Sequence, residues 1–189
     1  MNNALAAALF AAILMVGGCG ANAAREARQA KERNPAPCPN IVVLNEAARQ
    51  VDFAGEESLE NVAYTAEIEG VDLQCRYVGA KPIEATARIR FAFGKGPKAV
   101  DPNRTYTYFV AVTRKDLEVI EKAEFQIPVR FKGDESVVRL SDKIDQIIIP
   151  RANEKTSGVN FEVVIGLSVT PKQAIFNRSG KSLKFPELK

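Results

Sequence analysis

The chain has 189 residues, 46% hydrophobic and 26% charged, with a net charge of +3. That is length for a leader and one well-buried domain, a composition far from disorder, and a charge too mild to argue for nucleic acid. Histidine and tryptophan are both absent. A Ser-His-Asp or Cys-His nucleophilic site therefore cannot be built, and the commonest transition-metal ligand is missing. Catalysis would fall to carboxylates, lysine, tyrosine or an oxygen-bound metal.

Ala4 to Val16 is an uninterrupted apolar run, closed by Gly17 and Gly18. Its length suits the h-region of a signal peptide and falls short of the ~20 residues a membrane-spanning helix needs. Two cleavage points follow. One lies before Cys19; the other lies after Ala23, behind Ala21-Asn22-Ala23, and would release a soluble periplasmic or secreted protein. Val16-Gly17-Gly18-Cys19 resembles the lipobox of bacterial lipoprotein precursors, in which an aliphatic residue and two small ones precede the cysteine that receives diacylglycerol. The resemblance implies a signal peptide, residues 1–18, and a mature chain that begins at a lipidated Cys19 bearing three acyl chains, enough for stable anchoring. Gly20, where aspartate is absent, implies the outer membrane, facing the periplasm.

Residues 19–37 read as a tether. Ala21 to Arg33 are good helix formers without an apolar stripe. Pro35, Pro37 and Pro39 then impose an extended entry into the domain. Fully extended, the tether reaches roughly 60 Å. Three cysteines occur, Cys19, Cys38 and Cys75. With Cys19 lipidated, Cys38 and Cys75 are left to bridge each other in an oxidising compartment; two buried thiols in a cytosolic protein are the alternative.

From Asn40 onward the dominant pattern has period two. Val62, Tyr64, Ala66 and Ile68 alternate with polar residues. So do Ile83 through Phe93, Phe125 through Phe131, and Phe161 through Val169. Further strands are expected at Ile41–Leu44, Leu73–Val78, Thr105–Thr113 and Val137–Ile149. Turn residues separate them in VGAKP, GKGPKAVDPN, TRKDLE, KGDES and EKTSG. The apolar phase slips at Gly70, which predicts a bulge or turn. Pro128 inside a strand pattern predicts an edge strand. Thr170, Pro171 and Gln173 make a capping box with proline at the first helical position, so a short helix should follow and cap an open end with Ile175 and Phe176.

Seven or eight strands and one short C-terminal helix predict an all-β domain over residues 38–178. Its architecture should be two packed antiparallel sheets, like an immunoglobulin or fibronectin sandwich, with a small barrel as the alternative. Residues 179–189 form a basic tail, expected to be mobile apart from Phe185.

Candidate chemistry is sparse. Glu67, Glu69 and Asp72 are the densest acids, and paired carboxylates suit acid–base work on glycans or calcium binding. Their spacing puts Glu67 and Glu69 on the outward side of a strand, where Arg88 and Arg90 of a neighbour would pair with them. Gly94-Lys95-Gly96-Pro97 lacks the GK[ST] ending of a phosphate loop and reads as a turn. Tyr106, Tyr108 and Phe109 are the most site-like group. They belong either to a central strand buried on both faces or to a binding surface for a partner; the edge strand carrying Pro128 is a second place for one to dock. No catalytic residue, metal or cofactor is assigned. The expected protein is a non-enzymatic binding or assembly module in the cell envelope, held to the membrane through Cys19, with an envelope protein as partner and no nucleic acid. A carboxylate-based envelope enzyme is the alternative.

Overall fold

A computed structural model of the chain describes Arg25 and residues 37–115 and 118–184. The leader, Cys19, the tether short of Pro37 apart from Arg25, and Phe185 fall outside the described residues.

Eight strands are present: β1 (Asn40–Val43), β2 (Arg49–Phe53), β3 (Val62–Arg76), β4 (Ile83–Lys95), β5 (Asn103–Arg114), β6 (Val119–Arg130), β7 (Val137–Ile149) and β8 (Phe161–Leu167). They form two four-stranded sheets, ordered β1-β8-β5-β6 and β2-β3-β4-β7. The expected all-β sandwich is thus the observed architecture. Its strand order is its own: β2, β3 and β4 run as a meander in one sheet, whereas the immunoglobulin order puts its second and third strands in opposite sheets. All pairings are antiparallel except β1, which lies parallel to β8.

The alternating residues meet between the sheets. Phe91 and Phe93 of β4 face Tyr106 and Tyr108 of β5, with ring centroids 5.1 Å apart for Phe91–Tyr108 and 4.6 Å for Phe93–Tyr106. Ile83, Ile89, Ile149, Val163 and Ile165 are fully buried around them. Such aromatic pairs add about 1 kcal/mol each beyond the apolar area they bury.

Local expectations fare differently along the chain. The register of β3 against β4 shifts between Ile68 and Gly70, so one 15-residue strand with a bulge replaces the two separate strands expected. Pro128 lies on β6, which pairs only with β5 and is an edge. Two elements are new. β2 escaped notice because its polarity is inverted: Gln50 and Asp52 pair with the inward Ala66 and Tyr64, while Val51 faces out and packs on Phe176. The first half of β6 lacks alternation because its inward Glu121 and Ala123 line an open gap beside β7 rather than the core.

The helix α1 (Pro171–Arg178) has the expected capping box. Of its two apolar residues, only Phe176 caps: it meets Phe53 edge-on at 5.8 Å, while Ile175 stays 66% exposed. Asn177 fastens the helix, donating to the carbonyls of Glu46 at 2.8 Å and Arg49 at 2.6 Å. The tail also departs from expectation. Residues 179–184 continue into a 3-10 turn, Lys181–Lys184, where Ser182 is buried and Lys181 meets Glu57 at 3.3 Å.

Cys38 and Cys75 are bridged, their Cα atoms 5.7 Å apart across a separation of 37 residues. Closing a loop of that length contributes about 4 kcal/mol in the chain-entropy description. Replacing both cysteines with serine is expected to lower stability by about that amount in urea denaturation. A loss below about 1 kcal/mol would mean that the contacts around Tyr77 hold the loop ends without the bridge.

Candidate functional site

The best-built polar site lies where the chain enters the domain. Tyr77, just past β3, is 4% exposed, and its hydroxyl donates to the Pro37 carbonyl at 2.8 Å. The same oxygen accepts from the Gly158 N–H at 2.8 Å. A side chain at Gly158 would sit 2.5 Å from the Pro37 carbonyl oxygen and 2.6 Å from the Tyr77 hydroxyl, so only glycine lets the two segments approach. Arg151 covers the Tyr77 ring at 5.0 Å and donates to the Lys81 carbonyl at 2.9 Å and to the Gly79 carbonyl. With the disulfide, these contacts clamp Pro37–Pro39 onto the ends of β3 and the 150–160 loop. Sequence reasoning found the cysteines and missed Tyr77, Arg151 and Gly158. Nothing in their local spacing marks them, because their partners are up to 81 residues away.

The aromatic candidates separate by face. Tyr106 and Tyr108 are 2% and 0% exposed between the sheets and take no part in a surface. Phe109 faces outward, half-buried, with the Lys122 ammonium 4.8 Å from its ring centre. The three therefore do not form one patch: β5 is an interior strand of its sheet, buried along its inward face and only partly covered on the outward one. Both tyrosines keep their protons. Burial, and after it the Asp52 charge, raises Tyr106 far above the usual value near 10. Burial also raises Tyr108, helped by the 2.7 Å hydrogen bond it donates to Asp142.

The acidic residues are dispersed into ion pairs. Glu67 pairs with Arg49, Glu69 with Arg139 at 3.0 Å, and Asp72 with Arg90. Strand spacing suggests Arg88 and Arg90 as partners of Glu67 and Glu69; Arg90 instead takes Asp72, because the bulge before Gly70 shifts the register. Arg49 and Arg139 come from β2 and β7, whose pairing with β3 and β4 the local sequence does not announce. Among the described residues no group of three or more Asp, Glu, Cys or His is placed to hold a metal ion. The Gly94–Pro97 segment is tied down too: the Gly96 N–H donates to the Ala63 carbonyl at 2.8 Å.

A second polar network was not foreseen. Asp52, pointing inward from the edge strand β2, accepts from Arg104 of β5 at 2.6 Å and from Gln173 of α1 at 2.9 Å. It lies on the wall of an open cleft of about 240 Å³ between β2 and the start of α1. Its role is to join the two sheets and the helix where β2 has no strand neighbour. The β6 and β7 edges leave a narrower gap of about 100 Å³, lined by Val110, Val112, Phe125, Ile144 and Ile147.

No protein-family model matches the chain, and comparison with curated proteins and with solved structures likewise gives no match.

Stability should fall at alkaline pH. Tyr106 and Tyr108 are held above the unfolded value, so the unfolded chain releases their protons first. Their contribution is complete below about pH 10 and is lost as pH rises beyond it, by up to about 1.4 kcal/mol per pH unit for each tyrosine. Urea midpoints measured from about pH 8 to pH 11 check this. A flat profile would contradict the burial assigned to the two hydroxyls. Tyr108→Phe should cost about 1 kcal/mol, because it removes one of the hydrogen bonds to the half-buried Asp142, which keeps the Lys143 N–H.

Proposed function

We propose that this chain is a lipid-anchored envelope protein whose β-sandwich serves as a non-enzymatic binding or assembly module. The reading has Cys19 as the lipid-bearing residue and the module facing the periplasm from the outer membrane. One observation carries it: the Cys38–Cys75 bridge accounts for two of the three cysteines and leaves Cys19, at the end of the apolar run, as the only one outside it. Persistent disulfides belong to oxidising compartments, so the bridge supports export. The lipobox resemblance supports lipid at Cys19.

The clamp at Pro37 gives the anchored domain a direction. β3 runs from Val62 at one pole to Arg76 beside the entry point at the other, and 15 extended residues span roughly 45 Å. An anchor on Cys19 would therefore attach through the Tyr77 pole. The loops at 54–61, 96–102 and 132–136 lie at the other end of β3, including Val100, which is 96% exposed. Those loops are the surface a partner in the envelope would meet first. Against an enzyme stand the arginines paired with Glu67, Glu69 and Asp72, which commit these acids to ion pairs on an outward face.

The deciding measurement is the intact mass of the mature N-terminus, purified from the membrane fraction of an exporting bacterium. A triacylated Cys19 with the 38–75 bridge intact is expected. A chain starting at Ala24 would make the protein soluble in the periplasm. An uncut chain with reduced thiols would overturn both anchoring and export.

A further inference from the structure

The inward row of β6 changes character halfway along. Ile127 and Phe125 pair with Tyr106 and Tyr108 of β5, but the next two inward residues, Ala123 and Glu121, pair with Val110 and Val112. Alanine leaves the space beside Val110 unfilled. Glu121 does not fill the space beside Val112, because burying an unpaired carboxylate there is costly. The opposite sheet does not close it either. The β4–β7 register shifts between Ala85 and Ala87, so β7 carries one extra residue between Ile144 and Ile147, and both isoleucines pair with small alanines. What remains is the open gap of about 100 Å³ between the β6 and β7 edges.

The lining of this gap is apolar with one charge. Val110, Val112, Phe125, Ile144 and Ile147 form its walls, and among the described residues only Glu121 and Gln146 add polar side chains. Glu121 is exposed and has no ion-pair partner among the described residues. No described lysine or arginine lines the gap. Lys122 lies over the outward Phe109, and Lys143 pairs with Asp145. Asp142, the next inward residue of β7, is taken by Tyr108. The volume is about three times the ~30 Å³ share of one liquid water and below the ~150 Å³ of an apolar cavity that takes up benzene. A short alkyl stem fits it better than an aromatic ring.

We infer that the gap is a binding slot for a short primary alkylammonium ion, its stem on Ile144, Ile147 and Phe125 and its charge beside Glu121. The stem gains apolar burial, and the ammonium gives a charge-assisted hydrogen bond to a carboxylate that otherwise has none. An anion of the same length would meet Glu121 with like charge. The ligand is a free small amine rather than a protein segment, because Pro128 on β6 and the inward Asp142 on β7 oppose addition of another backbone to either edge. This inference does not depend on lipidation of Cys19.

The test titrates the mature full-length chain, with labelled alanine, isoleucine and valine methyls, against n-butylammonium, 1-butanol and butyrate at matched ionic strength. Butylammonium should shift the methyls of Val110, Ala123, Ile144 and Ile147 saturably at millimolar concentration, as so small a ligand allows. The core methyls of Ile89 and Val163 should stay in place. 1-Butanol should bind about three-fold more weakly, the difference an exposed ion pair supplies, and butyrate should not bind. Glu121→Gln should bring butylammonium down to the affinity of butanol. Ala123→Leu fills the gap and should abolish binding of both, with unmoved Ile89 and Val163 methyls showing that the fold is kept. Absence of a saturable shift with butylammonium, or equal binding of the three probes, would overturn the slot. So would tighter binding of a capped lysine amide than of butylammonium, which would assign the site to a partner's side chain.

Discussion

A phenol ring buried between sheets brings its hydroxyl with it, and that hydroxyl must find a partner or cost about 1–3 kcal/mol. This constraint organises the domain. All four tyrosines of the chain meet it by bonding to segments 34 to 81 residues away. Tyr64 holds both the N–H and the carbonyl of Asp101, which fixes the crossing from β4 to β5. Tyr106 donates to the Thr65 carbonyl of the opposite sheet at 3.1 Å, and Tyr108 to Asp142. Tyr77 holds the entering chain. Each ring supplies apolar area to the core, and each hydroxyl then sets where a loop or a second sheet must lie.

The sandwich is closed unequally at its two flanks. At the β1–β2 flank, α1 bridges the sheets: Asn177 bonds the backbone before and at the start of β2, and Gln173 meets the same Asp52 that accepts from Arg104. At the β6–β7 flank no described helix covers the gap, and the protection there is chemical. Pro128 removes a donor from β6, and Asp142 points inward from β7 to Tyr108. Proline and inward charge on edge strands both discourage pairing with another chain.

How much of this is legible in a sequence depends on how far each interaction reaches. Alternation reports burial on one face, so β3, β4 and β8 are plain, and so is the bulge at Gly70, where the phase slips. The capping box at Thr170 is local and equally plain. β2 hides because its outward Val51 packs on a helix 120 residues later, while its inward Asp52 answers an arginine from the other sheet. The same limit governs the acids. Strand spacing places Glu67 and Glu69 outward, but the arginines that pair with them sit on β2 and β7, whose sheet positions are decided by tertiary packing. Cysteine arithmetic anticipates the bridge. The tyrosine and glycine that complete the clamp have no counterpart in local pattern.

The entry clamp fixes where the chain enters the domain. Here the fastening is threefold: the covalent bridge at Cys38, the Tyr77 hydroxyl on Pro37, and the glycine contact at position 158. A bridge alone would leave the preceding residues to swing about one covalent point. Adding a hydrogen bond one residue upstream fixes the backbone on both sides of it, so the chain leaves the sandwich beside Tyr77 rather than anywhere around its rim. The chain thus enters the domain beside the end of its longest strand, β3, which pairs with both β2 and β4.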